Sequence, residues 1–443
     1  MTGYYNNMSL LSEAFPDYRP LVSSSAVTCL PSFPVHRHPD ALSGTGSESG
    51  TGTGSPLLFP ACRHQVTPHI ACPSFSPQVN NRLERSQVVD QINKYALSIE
   101  YTDNLVDSIV VSPYSLFSIL FPLYVASKGE TRLELGRYLK LNDSSCETAN
   151  SRTLLNTIID TTKLLNDAAF CKYVNILYMN PKYRVSSKFT KLFESYFKFE
   201  SGVDSSKIDS FVNQFTNGLI PKMGVTVNKD TVAVLLNVIY LKTEWLHAFK
   251  REMTMPVVFR GLHNTTSKIM LMHDTRTYLY GEDNDRQIVY IPYKTNNYGM
   301  LVVLPKSRYI TKELLNVNMG QMQGRLVDLY LPRFDLSTNL DNNYFHKNGL
   351  KRIFQSSCNE INIADKPVYV SSLIHKIVVK VDENGTEAAA TTAALMNLSS
   401  CLEPSEPEQP ILFRADHTFM FAIVKRAGLR YLPIFTGFYT GST

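Results

Sequence analysis

The amino-acid sequence predicts an α+β fold for residues 85–443, in which helices come first and strands follow. Apolar residues recur near helical spacing before Cys171, and short runs rich in β-branched residues dominate after it. These runs lie too close together for repeating βαβ units, so we expect antiparallel or mixed sheets. No break in composition divides this part of the chain, and we therefore expect one domain.

The predicted helices lie near the start of this domain. Residues 86–101 carry apolar positions at helical spacing, residues 115–139 combine a fully apolar helix with an amphipathic one, and residues 153–168 repeat the i, i+3, i+4 pattern. The run VAVLLNVIYL is apolar at nearly every position, as expected of a strand covered on both faces. The predicted strands lie at 173–179, 231–241, 287–293, 299–305, 326–334, 376–381 and 419–424.

Residues 1–84 differ from the rest of the chain. They include the Gly/Ser/Thr-rich run ALSGTGSESGTGTGSP and frequent Pro, without sustained periodicity. A segment of this composition buries too little apolar surface to offset its conformational entropy. We therefore predict a disordered extension over 1–84 and a folded domain over 85–443.

Composition argues against several classes of function. The formal net charge is only +5, with no long basic block, so we expect no nucleic-acid binding. We expect no membrane span and no signal peptide, because no apolar run is long enough and the first residues lack an apolar leader. The seven cysteines are scattered without a CxxC pair, which argues against disulfides and a metal site. No catalytic or cofactor-binding motif is present, so we expect neither an enzyme nor a cofactor.

Residues 381–400, VDENGTEAAATTAALMNLSS, contain a run of small side chains that fits either a helix or a strand. Alanine is the best helix former, whereas Asn384-Gly385 is a turn signal and the run also fits a period of two. On one parity, positions 386, 388, 390, 392, 394 and 396 carry no charge. A strand of this composition could lie with one face buried where little space is available.

This run and its neighbours resemble the hinge of the serpin family. The resemblance implies helices packed on three mostly antiparallel or mixed β-sheets, with an exposed reactive-centre loop over about residues 383–412. It covers residues 85–443 in family order, whereas residues 1–84 have no counterpart. The matching motifs are SPYS (112–115), TNGLI (216–220), DTVAVLLNVIYLKTEW (230–245), YIPY (290–293), MLVVLP (300–305), LPRFDL (331–336), ADHTFMFAI (415–423) and PIFTG (433–437).

The resemblance implies a serine protease inhibitor that acts as a suicide substrate. In the family a protease cleaves the loop, the N-terminal part of the loop inserts into the main sheet as a new strand, and the protease is trapped covalently. With on the order of ten new hydrogen bonds at roughly 1 kcal/mol each, insertion would release about 10 kcal/mol. Insertion needs small residues and a flexible pivot. The implied hinge consists of Glu383, Gly385, Thr386, Ala388, Ala389, Ala390, Thr391 and Thr392.

Family positions outside the loop are implied as well. Trp245, the single tryptophan of the chain, matches the breach at the top of the main sheet. A buried and fully hydrogen-bonded polar cluster at the shutter could hold the sheet closed and still rearrange. Either assignment could describe ordinary scaffold residues. The implied shutter residues are Ser112, Ser115, Asn237 and His375.

Family spacing, counted from Glu383, implies cleavage between Ser399 and Ser400, and a shift of one residue gives cleavage after Leu398 instead. Ser399 suits an elastase-like pocket and Leu398 a chymotrypsin-like one. Residues 381–413 contain no Arg or Lys, so a trypsin-like target is disfavoured. The alternatives are a non-inhibitory serpin (a carrier, chaperone-like binder or storage protein) and a cysteine-protease inhibitor. The small hinge residues favour serine protease inhibition.

Further expectations concern partners and location. The helix predicted around 153–168 carries only Arg152 and Lys163 as bases, so we expect no heparin site on this counterpart of the family's helix D. We expect a monomer. Sequons at Asn384 and Asn397 would place glycans at the hinge and beside the cleavage site. Together with the absent signal peptide and the odd number of cysteines, this favours a cytoplasmic or non-classically exported protein, with an extracellular location as the alternative.

Overall fold

The structure is a computed structural model that describes residues 89–100, 107–141, 156, 158, 160, 171–202, 204–241, 243–307, 312–386, 409–427 and 430–441. The α-helices of these residues are α1 (89–98), α2 (Pro113–Ala126), α3 (Gly129–Tyr138), α4 (Ser187–Phe193), α5 (Ser205–Phe215) and α6 (Asn342–Lys347). Residues 156, 158 and 160 are also helical, within the third predicted helix. Short 3-10 helices lie at Arg251–Met253, Leu262–Asn264, Lys312–Leu315, Met319–Gln321 and Arg352–Phe354.

The strands follow the helices and alternate with a few of them. They are β1 (Ile109–Val111), β2 (Cys171–Met179), β3 (Phe197–Ser201), β4 (Ala233–Leu241), β5 (Thr243–Glu244), β6 (Met255–Arg260), β7 (Thr266–Glu282), β8 (Arg286–Pro292), β9 (Tyr298–Pro305), β10 (Gln323–Pro332), β11 (Phe334–Leu340), β12 (Val370–Val381), β13 (Gly385–Thr386), β14 (Ile411–Arg414), β15 (Phe419–Ala427) and β16 (Arg430–Tyr439). Each of the seven strands predicted from the sequence is present, and the α+β prediction is confirmed.

The described strands form two hydrogen-bonded sheets. The central sheet has the order β3-β2-β4-β12-β11, with β13 and β5 at one end. The larger sheet has the order β1-β16-β15-β9-β8-β7-β10-β14, and β6 pairs with β7. Strand β7 spans 17 residues and joins the two halves of the larger sheet. The resemblance implies three sheets. Two of them are joined here into the larger sheet, because β7 belongs to both.

Strand β4 is covered on both faces, as its continuous apolar run predicted. Ala233, Leu235 and Ile239 belong to the main core, which lies between the two sheets and includes α2. Val234, Leu236 and Val238 belong to a second core, where the side chains of α5 pack on the other face of the central sheet. The side chains of one strand alternate between two apolar layers, so a polar residue on β4 has no access to solvent.

Helix α2 lies in the main core, and only Tyr124 of its 14 residues is partly exposed. The Ser112 hydroxyl caps its first turn by accepting a hydrogen bond from the Ser115 amide at 3.2 Å. Pro113 occupies the first helical position, where its missing amide has no cost. The serines of this helix are therefore buried, and their hydroxyls need partners inside the protein.

No helix among the described residues is long and apolar enough to cross a membrane.

Candidate functional site

The predicted hinge lies where β12 ends and the chain reverses direction. The Asp382 carboxylate accepts hydrogen bonds from the amides of Asn384 at 2.8 Å and Gly385 at 3.1 Å, which closes the turn. Strand β13 then pairs antiparallel with β12, where Thr386 lies opposite Val381. It also pairs antiparallel with β5 on its other side. The first two residues of a new strand thus already lie between β12 and β5.

Beyond β13, β4 and β12 pair directly with each other. Strands β4 and β12 pair in parallel from Val370, opposite Ala233, to Val378, opposite Tyr240. Strand β5 follows β4 after a single residue, so β13 occupies the end of the same gap that further insertion would widen. Within the described residues, the gap between β4–β5 and β12 is therefore occupied by β13 at one end and closed by the direct pairing of β4 with β12 beyond it.

Gly385 is required here because two backbones approach closely. A Cβ atom at this position would lie 2.1 Å from the carbonyl oxygen of Thr243 and 2.6 Å from Cα of Glu244. Both contacts are to backbone atoms of β5, which cannot rotate away. The pivot role that the sequence suggested for Gly385 thus coincides with a packing requirement of the paired state.

Glu383 is buried in the hinge turn and joins it to the larger sheet. Its carboxylate accepts a hydrogen bond from the Thr254 hydroxyl at 2.9 Å and lies 3.7 Å from the Arg333 guanidinium. Its backbone carbonyl accepts a hydrogen bond from the Phe249 amide at 2.8 Å. Movement of the hinge would therefore break contacts to the segment directly before β6.

Trp245 is fully buried against the other side of the turn. Its indole Nε1 donates to the carbonyl of Asp382 at 2.9 Å, and its backbone amide donates to the carbonyl of Asn384 at 2.9 Å. Its ring stacks on Tyr293 with centroids 4.7 Å apart. The Tyr293 and Thr386 hydroxyls are hydrogen-bonded at 3.0 Å, and burial raises the pKa of Tyr293. Trp245 thus contacts both the turn and the tyrosine that binds β13.

A buried polar row crosses the middle of the central sheet. Asn237 on β4 lies opposite Asn175 on β2 and opposite His375 on β12. Asn237 Oδ1 accepts hydrogen bonds from the Ser115 hydroxyl and His375 Nδ1, and its amide donates to Asn175 Oδ1 at 2.7 Å. The Ser112 amide donates to His375 Nε2 at 3.3 Å. The four residues predicted at the shutter therefore meet in one hydrogen-bonded cluster.

The cluster extends further than the sequence indicated. The Asn175 amide donates to the Tyr173 hydroxyl, which is hydrogen-bonded to Ser118 of α2. The Ser118 hydroxyl in turn donates to the carbonyl of Ser115 at 2.6 Å. Asn175 interrupts the predicted strand YVNILYM, and a polar residue inside an apolar strand is the signal that could have identified it.

Other sequence-based candidates lie outside the described residues. These are the hinge residues Ala388, Ala389, Ala390, Thr391 and Thr392, the cleavage-site residues Leu398, Ser399 and Ser400, and the bases Arg152 and Lys163. Within the described ranges, no group of three or more His, Cys, Asp or Glu side chains is arranged to hold a metal ion.

The chain that forms this hinge and polar row is similar to known proteins. The family model Serpin (serine protease inhibitor) matches residues 97–437 of this chain. The chain belongs to the serpin family. The resemblance that the sequence motifs indicated is therefore confirmed over nearly the whole of the predicted domain.

Individual serpins are similar at modest identity. An uncharacterized serpin-like protein of Thermococcus kodakarensis is 27% identical over 398 residues, which covers 84% of this chain and 90% of that protein. Antichymotrypsin-2 of Bombyx mori is 29% identical over 345 residues, which covers 71% of this chain and 88% of that protein. A crystal structure of maspin aligns with a TM-score of 0.69 at 19% identity, over 81% of this chain and 100% of that one. These likenesses establish the serpin fold.

His375 is neutral in this serpin. Complete burial lowers its pKa from 6.5 to about 3. Because Nε2 accepts the Ser112 amide, the single ring proton resides on Nδ1 and is donated to Asn237. This tautomer satisfies both ring nitrogens without a charge. A proton added to Nε2 would remove the acceptor for Ser112 and place a charge in the core.

We expect His375 to make the protein less stable as the pH falls from 6.5 to 3. In this window the unfolded chain binds a proton that the folded protein excludes, so the free energy of unfolding decreases by up to about 1.4 kcal/mol per pH unit. Above pH 6.5 this contribution is fully present. Urea unfolding at several pH values should show a shallower acid dependence for His375→Gln, whereas the exposed control His263→Gln should keep the full slope. Equal slopes for all three proteins would contradict the prediction.

We expect Gly385→Ala to expel β13 from the central sheet, because the added methyl would overlap the β5 backbone. The hydrogen bond between Thr386 and Tyr293 would be lost, and the surroundings of Trp245, the single tryptophan, would change. Tryptophan fluorescence and limited proteolysis near residue 386 should both report this change. At the control position Gly324→Ala, the new Cβ would meet only Thr277 Cγ2 at 3.5 Å. Identical fluorescence and cleavage in both variants would count against the packing argument.

Proposed function

We propose that this serpin inhibits a serine protease as a suicide substrate. The protease serine attacks a carbonyl of the reactive-centre loop, the peptide bond breaks, and the new amine leaves with the C-terminal fragment while the serine stays esterified to the loop. Insertion of the loop as a strand then carries the acylated protease away before water hydrolyses the ester. The observation that supports this proposal is β13, which pairs with β5 and β12 as the first two residues of such a strand.

The register of β13 predicts where the inserting residues would lie. Thr386 lies opposite Thr243 of β5 and opposite Val381 of β12. Six residues before Thr243 in the chain lies Asn237, and six residues before Val381 lies His375. These two residues lie opposite each other in the polar row. A regular strand from Thr386 would place Thr392 between them. The hydroxyl of Thr392 can both donate and accept a hydrogen bond, as this position requires.

Insertion would exchange one set of hydrogen bonds for a larger one. The direct parallel pairing of β4 with β12 would be lost, and each strand would gain an antiparallel ladder with the new strand. The hydrogen bond between Asn237 and His375 must break in this process. The polar row therefore works as a lock on the sheet, and Thr392 can restore its hydrogen bonds after insertion.

The proposed cleavage site rests on the family spacing counted from Glu383, and the proposed protease class rests on the loop sequence. We propose cleavage after Ser399 or Leu398 by an elastase-like or chymotrypsin-like protease, since residues 381–413 contain no Arg or Lys. We also propose a monomer that acts in the cytoplasm or after non-classical export. The sequons at Asn384 and Asn397 support this location, because glycans there would obstruct the turn or the bond.

The proposal can be tested with purified protein and a panel of chymotrypsin-like, elastase-like and trypsin-like proteases. We expect complexes that survive SDS with a protease of the first two classes. The mass of the released C-terminal fragment would identify the cleaved bond. Complete cleavage of the loop by these proteases without any stable complex would instead indicate a non-inhibitory serpin.

A further inference from the structure

Exposed apolar side chains are concentrated around β6. Among the described residues, seven large hydrophobic side chains are exposed, and four of them lie on β6 or its immediate neighbours: Met253, Met255, Val258 and Met270. Single exposed hydrophobic residues are ordinary, whereas a group on one strand pair is a mark of a binding surface. The concentration of three methionines is notable because their flexible thioethers adapt to different partners.

The strand pairing places part of this group on one outward face. Strands β6 and β7 are antiparallel, with Pro256 opposite Met270 and Val258 opposite Lys268. Side chains alternate along a strand, so Pro256, Val258 and Met270 share one face. The opposite face of the pair is in the core, where Phe259 and Leu271 are buried. The outward apolar face is thus built by the sheet and does not depend on a loop.

Among the residues that the structure describes, none pairs with most of the outer edge of β6. The strand pairs with β7 on its inner side, and its last residue, Arg260, bonds to residues 416 and 418 on the outer side. Alternate residues direct their backbone groups to the same edge, so the amide and carbonyl of Val258 and the carbonyl of Pro256 point outward as well. Such an edge is a template for one further strand.

The surroundings of this edge are basic. Arg251, Arg260 and Lys268 are exposed, and none of them forms an ion pair within the part of the chain that the structure describes. Arg333, whose side chain is 54% exposed, lies 3.7 Å from the buried Glu383. Glu252 is the acidic neighbour of Arg251 in the sequence. The net positive rim favours a partner that carries carboxylates.

We propose that the β6 edge is a docking site for an extended peptide segment of a partner protein, in which an apolar and an acidic residue two positions apart share the outward face. The backbone of the segment would bond to Val258 and to the Pro256 carbonyl, as in strand addition. Its apolar side chains would cover Val258 and Met270, and its carboxylates would face Arg260 and Lys268. This site is separate from loop cleavage and does not depend on the proposed inhibitory function.

The experiment uses the full chain and three short synthetic peptides. The first repeats Val-Thr-Glu-Thr, which places Val and Glu on one face of an extended strand, the second repeats Val-Thr-Lys-Thr, and the third repeats the first with N-methylated backbone amides. We expect the Val/Glu peptide to bind at least about tenfold more tightly than either of the others, and added salt to weaken its binding. Hydrogen exchange should slow at residues 255–259 when it binds. Equal binding of the Val/Lys or N-methylated peptide would overturn the proposal.

Substitutions on β6 and β7 test whether the peptide binds at the β6 edge. Val258→Asp and Lys268→Glu should each weaken binding of the Val/Glu peptide about tenfold. Leu133→Asp is the matched control, because Leu133 is exposed to a similar extent on α3. Thermal melting of each variant separates a local effect from misfolding. If Val258→Asp binds as well as the parent, or if binding appears only after the loop acids Glu403, Glu406 and Glu408 are changed to Gln, the edge is not an open site for a partner.

Discussion

Thr386→Arg is expected to turn the proposed inhibitor into a substrate. Thr386 is fully buried and its hydroxyl is hydrogen-bonded to Tyr293, so the site has no room or partner for a guanidinium. Insertion would have to carry this charge into the core, which slows it relative to hydrolysis of the acyl-enzyme. We expect the number of inhibitor molecules consumed per trapped protease to rise at least about tenfold. This number is measured by titrating a protease that the parent protein traps.

Glu387→Arg is the matched control for this experiment. It introduces the same side chain one residue later, where the period of two directs it to the opposite face of the inserted strand, beside Lys380, whose side chain is 40% exposed. We expect this variant to keep forming stable complexes. If Thr386→Arg also traps protease as efficiently as the parent, insertion of β13 and its continuation is not the trapping mechanism. If neither variant forms stable complexes, the added charge prevents trapping on either face of the strand, and burial of residue 386 is not the cause.

Asn237→Ala is expected to cause the largest loss of stability in the polar row. Asn237 is fully buried, and its removal leaves the Ser115 hydroxyl, the Nδ1 proton of His375 and the Asn175 carbonyl without their partner. Each unpaired buried group costs about 1–3 kcal/mol, so we expect the free energy of unfolding to fall by about 4 kcal/mol. Urea unfolding at pH 7.5 measures this loss while His375 is neutral.

Asn318→Ala supplies the comparison for this loss. Asn318 is exposed and accepts one hydrogen bond, from the Gly320 amide at 3.0 Å, so the same substitution should cost less than about 1 kcal/mol. A loss for Asn237→Ala as small as that of Asn318→Ala would mean that the row rearranges without strain. In that case the row could not act as the lock on the central sheet.

The long elements of this fold were predictable because each carries a strong local pattern. The continuous apolar run of β4 indicated a strand between two layers, and the helical spacing in residues 115–139 indicated α2 and α3. Helix α6 spans six residues and β13 only two, and such short segments contain too few residues to establish a period. The two strands of the hinge, β13 and β5, therefore depend on pairing with neighbours that are distant in the sequence.

The sequence by itself determined the family and the identity of four members of the polar cluster, and it predicted a hinge from a run of small residues. It left open whether residues after Asn384 begin a helix or a strand. The tertiary structure decided that question for Gly385 and Thr386, because only the space between β5 and β12 selects a strand there. It also decided that Asn175 belongs to the polar cluster.

The physical reason is strand register. Asn175, Asn237 and His375 meet because three strands from separate parts of the chain align at one level. A shift of one residue in either pairing would turn a polar side chain toward the apolar layer under α5. Local sequence patterns specify which face of a strand is apolar, but the level at which two distant strands align is set by the packing and hydrogen bonds of the whole sheet.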